Sequence, residues 1–157
     1  MAKASPSKSP AQQLASFLAK YDPKIASVAR SALSKMRKRL PGALELVYDN
    51  YNALVIGICP TLRRSDAIFS IVLYPRYVTF FFLQGAGLPD PHHRLEGTAS
   101  RVRRITLESA TTLDDPEVVA LMNTALHRAK FPLIQSSAGS SSLGRSRPSS
   151  VLAGPAK

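Results

Sequence analysis

The sequence predicts an α+β domain in which an antiparallel sheet of about five strands carries N-terminal helices and one C-terminal helix. Apolar residues recur at helical spacing near both ends of the chain, whereas in the middle they alternate with a period of two. The predicted strands follow one another across short turns. Short turns indicate antiparallel pairing, because parallel strands need long crossover connections.

Two helices are predicted before the sheet. The first begins at Ala11, where apolar residues start to recur at helical spacing. Asp22 followed by Pro23 is typical of an N-cap with proline at the first helical position. The second helix is predicted to run from there to about Leu40.

Five strands are predicted after these helices, at Leu44–Asp49, Ala53–Ile58, Asp66–Leu73, Tyr77–Leu83 and Val102–Glu108. The third and fourth are apolar on both faces, which indicates a central position in a sheet that is covered on both sides or lies over a pocket. The fifth alternates apolar with charged residues and is predicted to be an edge strand.

A last helix is predicted from Asp115-Pro116-Glu117 to about Lys130, because its apolar stripe is uninterrupted. The neighbouring acidic residues are interpreted as capping groups of this helix, and include Asp114.

The chain of 157 residues has the size of one domain, predicted at residues 11–131. Residues 1–10 and the Ser/Gly-rich residues 132–157 are predicted to be disordered basic tails. No apolar stretch has the length of a membrane span and no secretory signal is evident, so the expected location is cytoplasmic. The single cysteine, Cys59, excludes an internal disulfide.

The net charge of +11 arises from 21 basic and 10 acidic residues. A basic surface favours nucleic acid, anionic lipid or acidic ligands. The basic residues cluster at 35–39, 63–64 and 101–104. If these clusters shared one face, the protein would be a non-specific nucleic-acid-binding protein; otherwise they are solvated helix and strand ends.

The stretch LVYDNYNALVIG at 46–57 resembles the YdhG-like domain family, whose function is unknown. The stretches YPR at 74–76, FFLQG at 81–85, LPDP at 88–91, LEG at 95–97 and VR at 102–103 are similar to other recurrent parts of that family. The similarity covers about residues 11–131. It implies a compact α+β domain with an antiparallel sheet, and no activity. Frataxin-like iron handling has been proposed within the wider family, so the resemblance makes iron the one cofactor to consider.

Seven polar residues are predicted to line one pocket on a sheet face, for a small anionic ligand or a protein: Tyr48, Asn50, Asn52, Tyr74, Arg76, Gln84 and Arg103. The alternative is that the asparagines satisfy turn geometry while the tyrosines cap the core. Arg103 shares a strand face with apolar residues, so it either pairs with a carboxylate such as Asp49 or Glu45 or binds an anionic ligand.

Adjacent histidines, His92 and His93, lie near Asp90 and Glu96 and form the one candidate metal site, for iron or zinc. The pattern is non-specific, because neighbouring loop histidines rarely converge on one ion. Cys59 has no sequence-local base and is interpreted as a small apolar side chain. No phosphate-binding loop or nucleophile motif occurs. We therefore expect a binding module rather than an enzyme.

Overall fold

The computed structural model describes residues 10–50, 52–129 and 153–155. The helices are α1 (Pro10–Leu18), α2 (Pro23–Arg39) and α3 (Pro116–Arg128). The strands are β1 (Leu44–Asn50), β2 (Ala53–Cys59), β3 (Phe69–Leu73), β4 (Val78–Phe82), β5 (Arg103–Leu107) and β6 (Ala153–Pro155). Two 3₁₀ turns, Arg64–Asp66 and Ala110–Asp114, precede β3 and α3. None of the described helices is both long and apolar enough to cross a membrane.

The strand order in the sheet is β5-β4-β3-β2-β1-β6. Strands β1 to β5 pair antiparallel with their neighbours, and β6 pairs parallel with β1. The predicted α+β class, the antiparallel sheet and the edge position of β5 are confirmed. Most of the two predicted tails lies outside the described residues; Ala153–Pro155, which we expected to be disordered, form β6.

One face of the sheet packs against the helices and forms the main core. The pairing register places Val47, Ile56, Ile71, Phe80 and Ile105 in one row on this face, and each is at most 5% exposed. The helices contribute the apolar stripes that the sequence predicted. Burial of this continuous apolar surface is the main stabilising contribution to the fold.

The opposite face, called here the open face, carries the alternate residues of each strand. A second small cluster of Leu46, Cys59 and Ala67 lies there, because the connection between β2 and β3 folds over one end of this face. Half-buried Tyr48 and Leu83 pack against the cluster. The rest of this connection and the strands enclose the groove that is described in the next subsection.

The third strand is shorter than predicted. The sequence indicated a strand from Asp66, but β3 begins at Phe69. The Asp66 carboxylate instead accepts a hydrogen bond of 2.7 Å from the Thr61 hydroxyl and lies 3.9 Å from Arg63. These local bonds stabilise a 3₁₀ turn where the apolar pattern alone favoured extended backbone.

Candidate ligand-binding groove

A groove of about 290 Å³ lies on the open face. Strands β1, β2 and β3 form its floor, and the β2–β3 connection forms one wall. Its lining combines apolar groups with a few polar ones: Tyr48, Asn50, Val55, Gly57, Cys59, Arg64, Ala67, Ser70 and Leu83. A mostly apolar concave site with few polar groups is the usual composition of a small-molecule site.

The floor of the groove is open because Gly57 has no side chain. Gly57 lies between Leu46 of β1 and Ser70 of β3 in the pairing register. A Cβ at this position would lie 3.6 Å from Cys59 Sγ and 3.9 Å from Ala67 Cβ, which is ordinary van der Waals contact. The strand therefore has room for a methyl group here, and the glycine leaves that volume to the groove.

Ser70 supplies a buried polar group to the floor. The residue is 5% exposed, and its hydroxyl makes no hydrogen bond with any residue that the structure describes. Thr79, 1% exposed on the same open face, also has no such partner, but it does not line the groove. Buried hydroxyls are almost always paired, so the Ser70 hydroxyl is a hydrogen-bonding group that a bound molecule would satisfy.

Arg64 forms a cationic rim. Its guanidinium carbon lies 4.8 Å from the centroid of the Tyr48 ring, within the range of a cation–π contact. Burial raises the pKa of Tyr48, and the Arg64 charge partly opposes that shift. Within the described ranges, no carboxylate lies at ion-pair distance from Arg64. Its charge is therefore held in place by an aromatic ring and is not neutralised by a neighbouring acid.

Cys59 contributes an apolar wall rather than a nucleophile. The side chain is fully buried, and burial raises the pKa of the thiol to about 12, with a smaller contribution from the Asp66 charge. The group is therefore a neutral thiol at physiological pH, and a neutral thiol is a poor nucleophile.

The seven predicted site residues do not share one cavity. Tyr48 and Asn50 line the groove. Asn50 and Asn52 also border a separate cleft of about 510 Å³ beside α1, together with Lys20. Tyr48, Asn50 and Asn52, which were predicted to share one pocket, are thus divided between two concave sites.

The remaining four residues lie at opposite ends of the sheet. Tyr74 and Arg76 belong to the β3–β4 turn, where Tyr74 stacks on Tyr77 at 4.7 Å between ring centroids. Gln84 and Arg103 lie at the other end, because Phe82 at the end of β4 pairs with Arg103 at the start of β5. Strand direction, which the polar pattern did not encode, separates the two pairs.

Arg103 pairs with neither predicted carboxylate. Its guanidinium donates hydrogen bonds to the carbonyl oxygens of Ala99 and Val102. Glu45 is bonded by Arg37, and Asp49 lies 3.7 Å from Lys20. The Arg103 side chain therefore stabilises the loop before β5 by hydrogen bonds to the main chain of that loop.

Gly57, Arg64 and Ser70 were not among the predicted site residues. Gly57 and Ser70 interrupt otherwise apolar strands, and such interruptions are the signal that would have identified them. Arg64 carries no comparable signal, since its position over Tyr48 depends on how the connection folds.

The histidine pair lies in a loop against α3. His92 Nδ1 is 3.6 Å from Glu117 Oε2. Arg94 donates hydrogen bonds to the carboxylates of Glu117 and Asp115 at 2.9 and 3.0 Å. His93 has a left-handed backbone with φ of 54°. In the described part of the chain, no group of three His, Cys, Asp or Glu side chains could share a metal ion.

The acidic cluster before α3 is not explained by capping. Asp115 stands at the N-cap position, but its side chain makes no capping hydrogen bond. Arg94 binds Asp115, and Lys35 Nζ lies 2.7 Å from Asp114. The cluster instead joins α3 and the preceding turn to a loop and to α2 by ion pairs.

Comparison of the chain with family models, with curated proteins and with solved structures finds no match. The geometry of the groove and the charges around it are therefore the basis for the function proposed below.

Proposed function

We propose that this chain is a small-ligand-binding module whose open-face groove takes a small organic anion with an apolar body. The buried Ser70 hydroxyl, which has no partner among the described residues, is the observation that carries the proposal. The apolar walls would contact the body of the ligand, and Arg64 at the rim would contact its anionic group.

The lining chemistry favours binding over catalysis. Of the described residues that line the groove, none is a histidine or a carboxylate, and Cys59 is a neutral thiol. General acid–base or nucleophilic catalysis would require a group that titrates near neutral pH or an activated nucleophile.

Membership of the YdhG-like domain family is a proposal that rests on the sequence stretches quoted above. Frataxin-like iron binding receives less support than the groove, because Glu117, the carboxylate 3.6 Å from His92, is bonded by Arg94. We therefore place the function at the groove rather than at the histidine loop.

Gly57→Ala provides the sharpest test. The added methyl group enters the groove without a close contact, so the fold should be retained. Replacing a strand glycine should raise the stability by about 0.4–1 kcal/mol. Ligand affinity should fall about tenfold or more, because the added methyl group takes up volume that a bound ligand needs.

The assay is a thermal-shift screen of aliphatic and aromatic carboxylates and phosphates, followed by calorimetric titration of any compound that raises the melting temperature. Ser70→Ala should weaken binding, whereas Thr79→Val, which removes a similarly buried hydroxyl outside the groove, should not. A ligand whose affinity is unchanged in Gly57→Ala and Ser70→Ala would place binding elsewhere and refute the proposal.

A further inference from the structure

The positive charge of the sheet is concentrated at one end. The end at which β1, β3 and β5 begin, called here the basic end, receives all three basic clusters. Arg37 and Lys38 lie in the last turn of α2, just before β1. Arg63 and Arg64 lie in the β2–β3 connection, and the cluster at 101–104 begins β5. At the opposite end, the cations Lys20, Lys24 and Arg76 are matched in number by the acids Asp22, Asp49 and Glu108.

The carboxylates of the basic end are bonded within the domain. In the loop before β5, Asp90 accepts hydrogen bonds from the backbone of Arg94 and Leu95, and the Arg94 side chain binds Asp115 and Glu117 at the start of α3. Arg37 binds Glu45, Asp66 lies near Arg63, and Arg104 Nε lies 3.8 Å from Glu96 Oε1. Lys38, Arg64 and Arg101 form no ion pair with any described residue. The basic end therefore presents cationic charge that the domain itself does not neutralise.

An exposed leucine lies among these cations. Leu62 is 69% exposed, whereas most large aliphatic side chains of the described residues are buried or half-buried. It lies in the β2–β3 connection directly before Arg63 and Arg64. A single exposed leucine is unremarkable on its own. Leu62, however, combines this exposure with a position directly beside two arginines at the basic end.

We propose that the basic end docks on an anionic lipid surface, with Leu62 inserted at the boundary between headgroups and acyl chains. Peripheral binding of this kind combines buried apolar area with attraction between basic side chains and anionic lipids. A nucleic-acid backbone would use the same cations, but its phosphates offer no apolar environment to Leu62. The leucine therefore favours the lipid surface, and nucleic acid becomes an outcome of the test.

Co-sedimentation with vesicles tests this docking. The intact chain should bind vesicles of phosphatidylcholine with phosphatidylserine and not those of phosphatidylcholine alone. Binding should weaken as salt is raised, because exposed charges are screened beyond a Debye length of about 8 Å at physiological ionic strength. No binding to the phosphatidylserine vesicles would overturn the proposal.

Variants separate the apolar and cationic parts. Leu62→Ser should weaken vesicle binding about tenfold, which corresponds to burying most of one leucine side chain. Lys38→Ala and Arg101→Ala should each weaken it about fivefold. Arg76→Ala, an exposed arginine in the turn at the opposite end, is the matched control and should bind as the parent does.

A duplex DNA fragment and a single-stranded oligonucleotide form the competing arm. Binding to either that exceeds vesicle binding and is unchanged in Leu62→Ser would overturn the lipid assignment in favour of nucleic acid. Equal losses of vesicle binding in Arg76→Ala and Arg101→Ala would show that net charge alone is responsible and would overturn docking through the basic end. Leu62, Lys38 and Arg101 do not line the groove, so these results are independent of its ligand.

Discussion

Replacing Arg37 by alanine tests whether the ion pair that joins α2 to β1 stabilises the fold. Arg37 donates two hydrogen bonds, of 2.6 and 2.8 Å, to the two carboxylate oxygens of Glu45. The Glu45 side chain is only 6% exposed, whereas that of Arg37 is 52% exposed. The bond to Glu45 is the largest cause of the raised pKa of Arg37. Removal of the arginine would leave a buried carboxylate without its partner.

The expected loss follows from this geometry. Breaking a fully buried ion pair by removing one partner costs about 3–5 kcal/mol. Because Arg37 is half exposed, water can replace part of its interaction, and we expect a loss of about 2 kcal/mol. For a chain of this length, that corresponds to a melting temperature lower by about 4–8 °C. Urea denaturation and scanning calorimetry measure the two quantities independently.

Two further variants make the result interpretable. Arg30→Ala alters an exposed arginine of the same helix that has no ion pair among the described residues, and should change stability by about 0.5 kcal/mol or less. The double variant Arg37→Met/Glu45→Leu removes both charges and should be close to the parent in stability. The reasoning would be refuted if Arg37→Ala matched Arg30→Ala while the double variant was strongly destabilised.

Two other predictions concern the core and the cysteine. Phe80 is fully buried, with its ring centroid 5.2 Å from that of Phe69 and 5.3 Å from that of Phe82. Phe80→Ala should therefore cost about 3–5 kcal/mol in urea denaturation, and a loss below about 1 kcal/mol would contradict this packing. Burial raises the folded-state pKa of Cys59 to about 12, above the usual 9.0 of a free thiol, so over this range the folded chain keeps a proton that the unfolded chain releases. This contribution to stability is complete below the unfolded pKa and declines as the pH rises towards the folded one, by at most about 1.4 kcal/mol per pH unit. Cys59→Ala should show a smaller decline in urea denaturation over the same alkaline range, and identical declines would argue against a buried neutral thiol.

The sequence predicts most of the secondary structure because its signals are local. The Asp22 carboxylate accepts a hydrogen bond of 2.9 Å from the backbone of Lys24, so the N-cap predicted for α2 is confirmed. The alternation in β5 predicted an edge strand, and the structure confirms it with Ile105 and Leu107 buried. The predicted start of β3 at Asp66 was wrong, because a hydrogen bond between the Thr61 and Asp66 side chains stabilises a turn where the apolar pattern favoured a strand.

The candidate site was predicted only in part, for a geometrical reason. Tyr48 and Asn50 belong to one strand, and their alternation places both on the open face. Gln84 is exposed directly after Leu83, which does line the groove, and Arg103 begins β5, which β4 separates from the groove floor. Polarity in a sequence shows that a side chain could contribute to a site, but not which other side chains lie beside it.

Composition, apolar period and turn residues were enough to predict the fold class, the order of helices and strands, and the inner and edge positions in the sheet. These properties depend on neighbours within a few residues along the chain. The three-dimensional structure was needed to show that Gly57 and Ser70 form a groove floor, that Arg64 lies over the Tyr48 ring, and that the basic clusters lie at one end of the sheet. Those features depend on strand register and on the path of a connection, which bring together residues that no local pattern links.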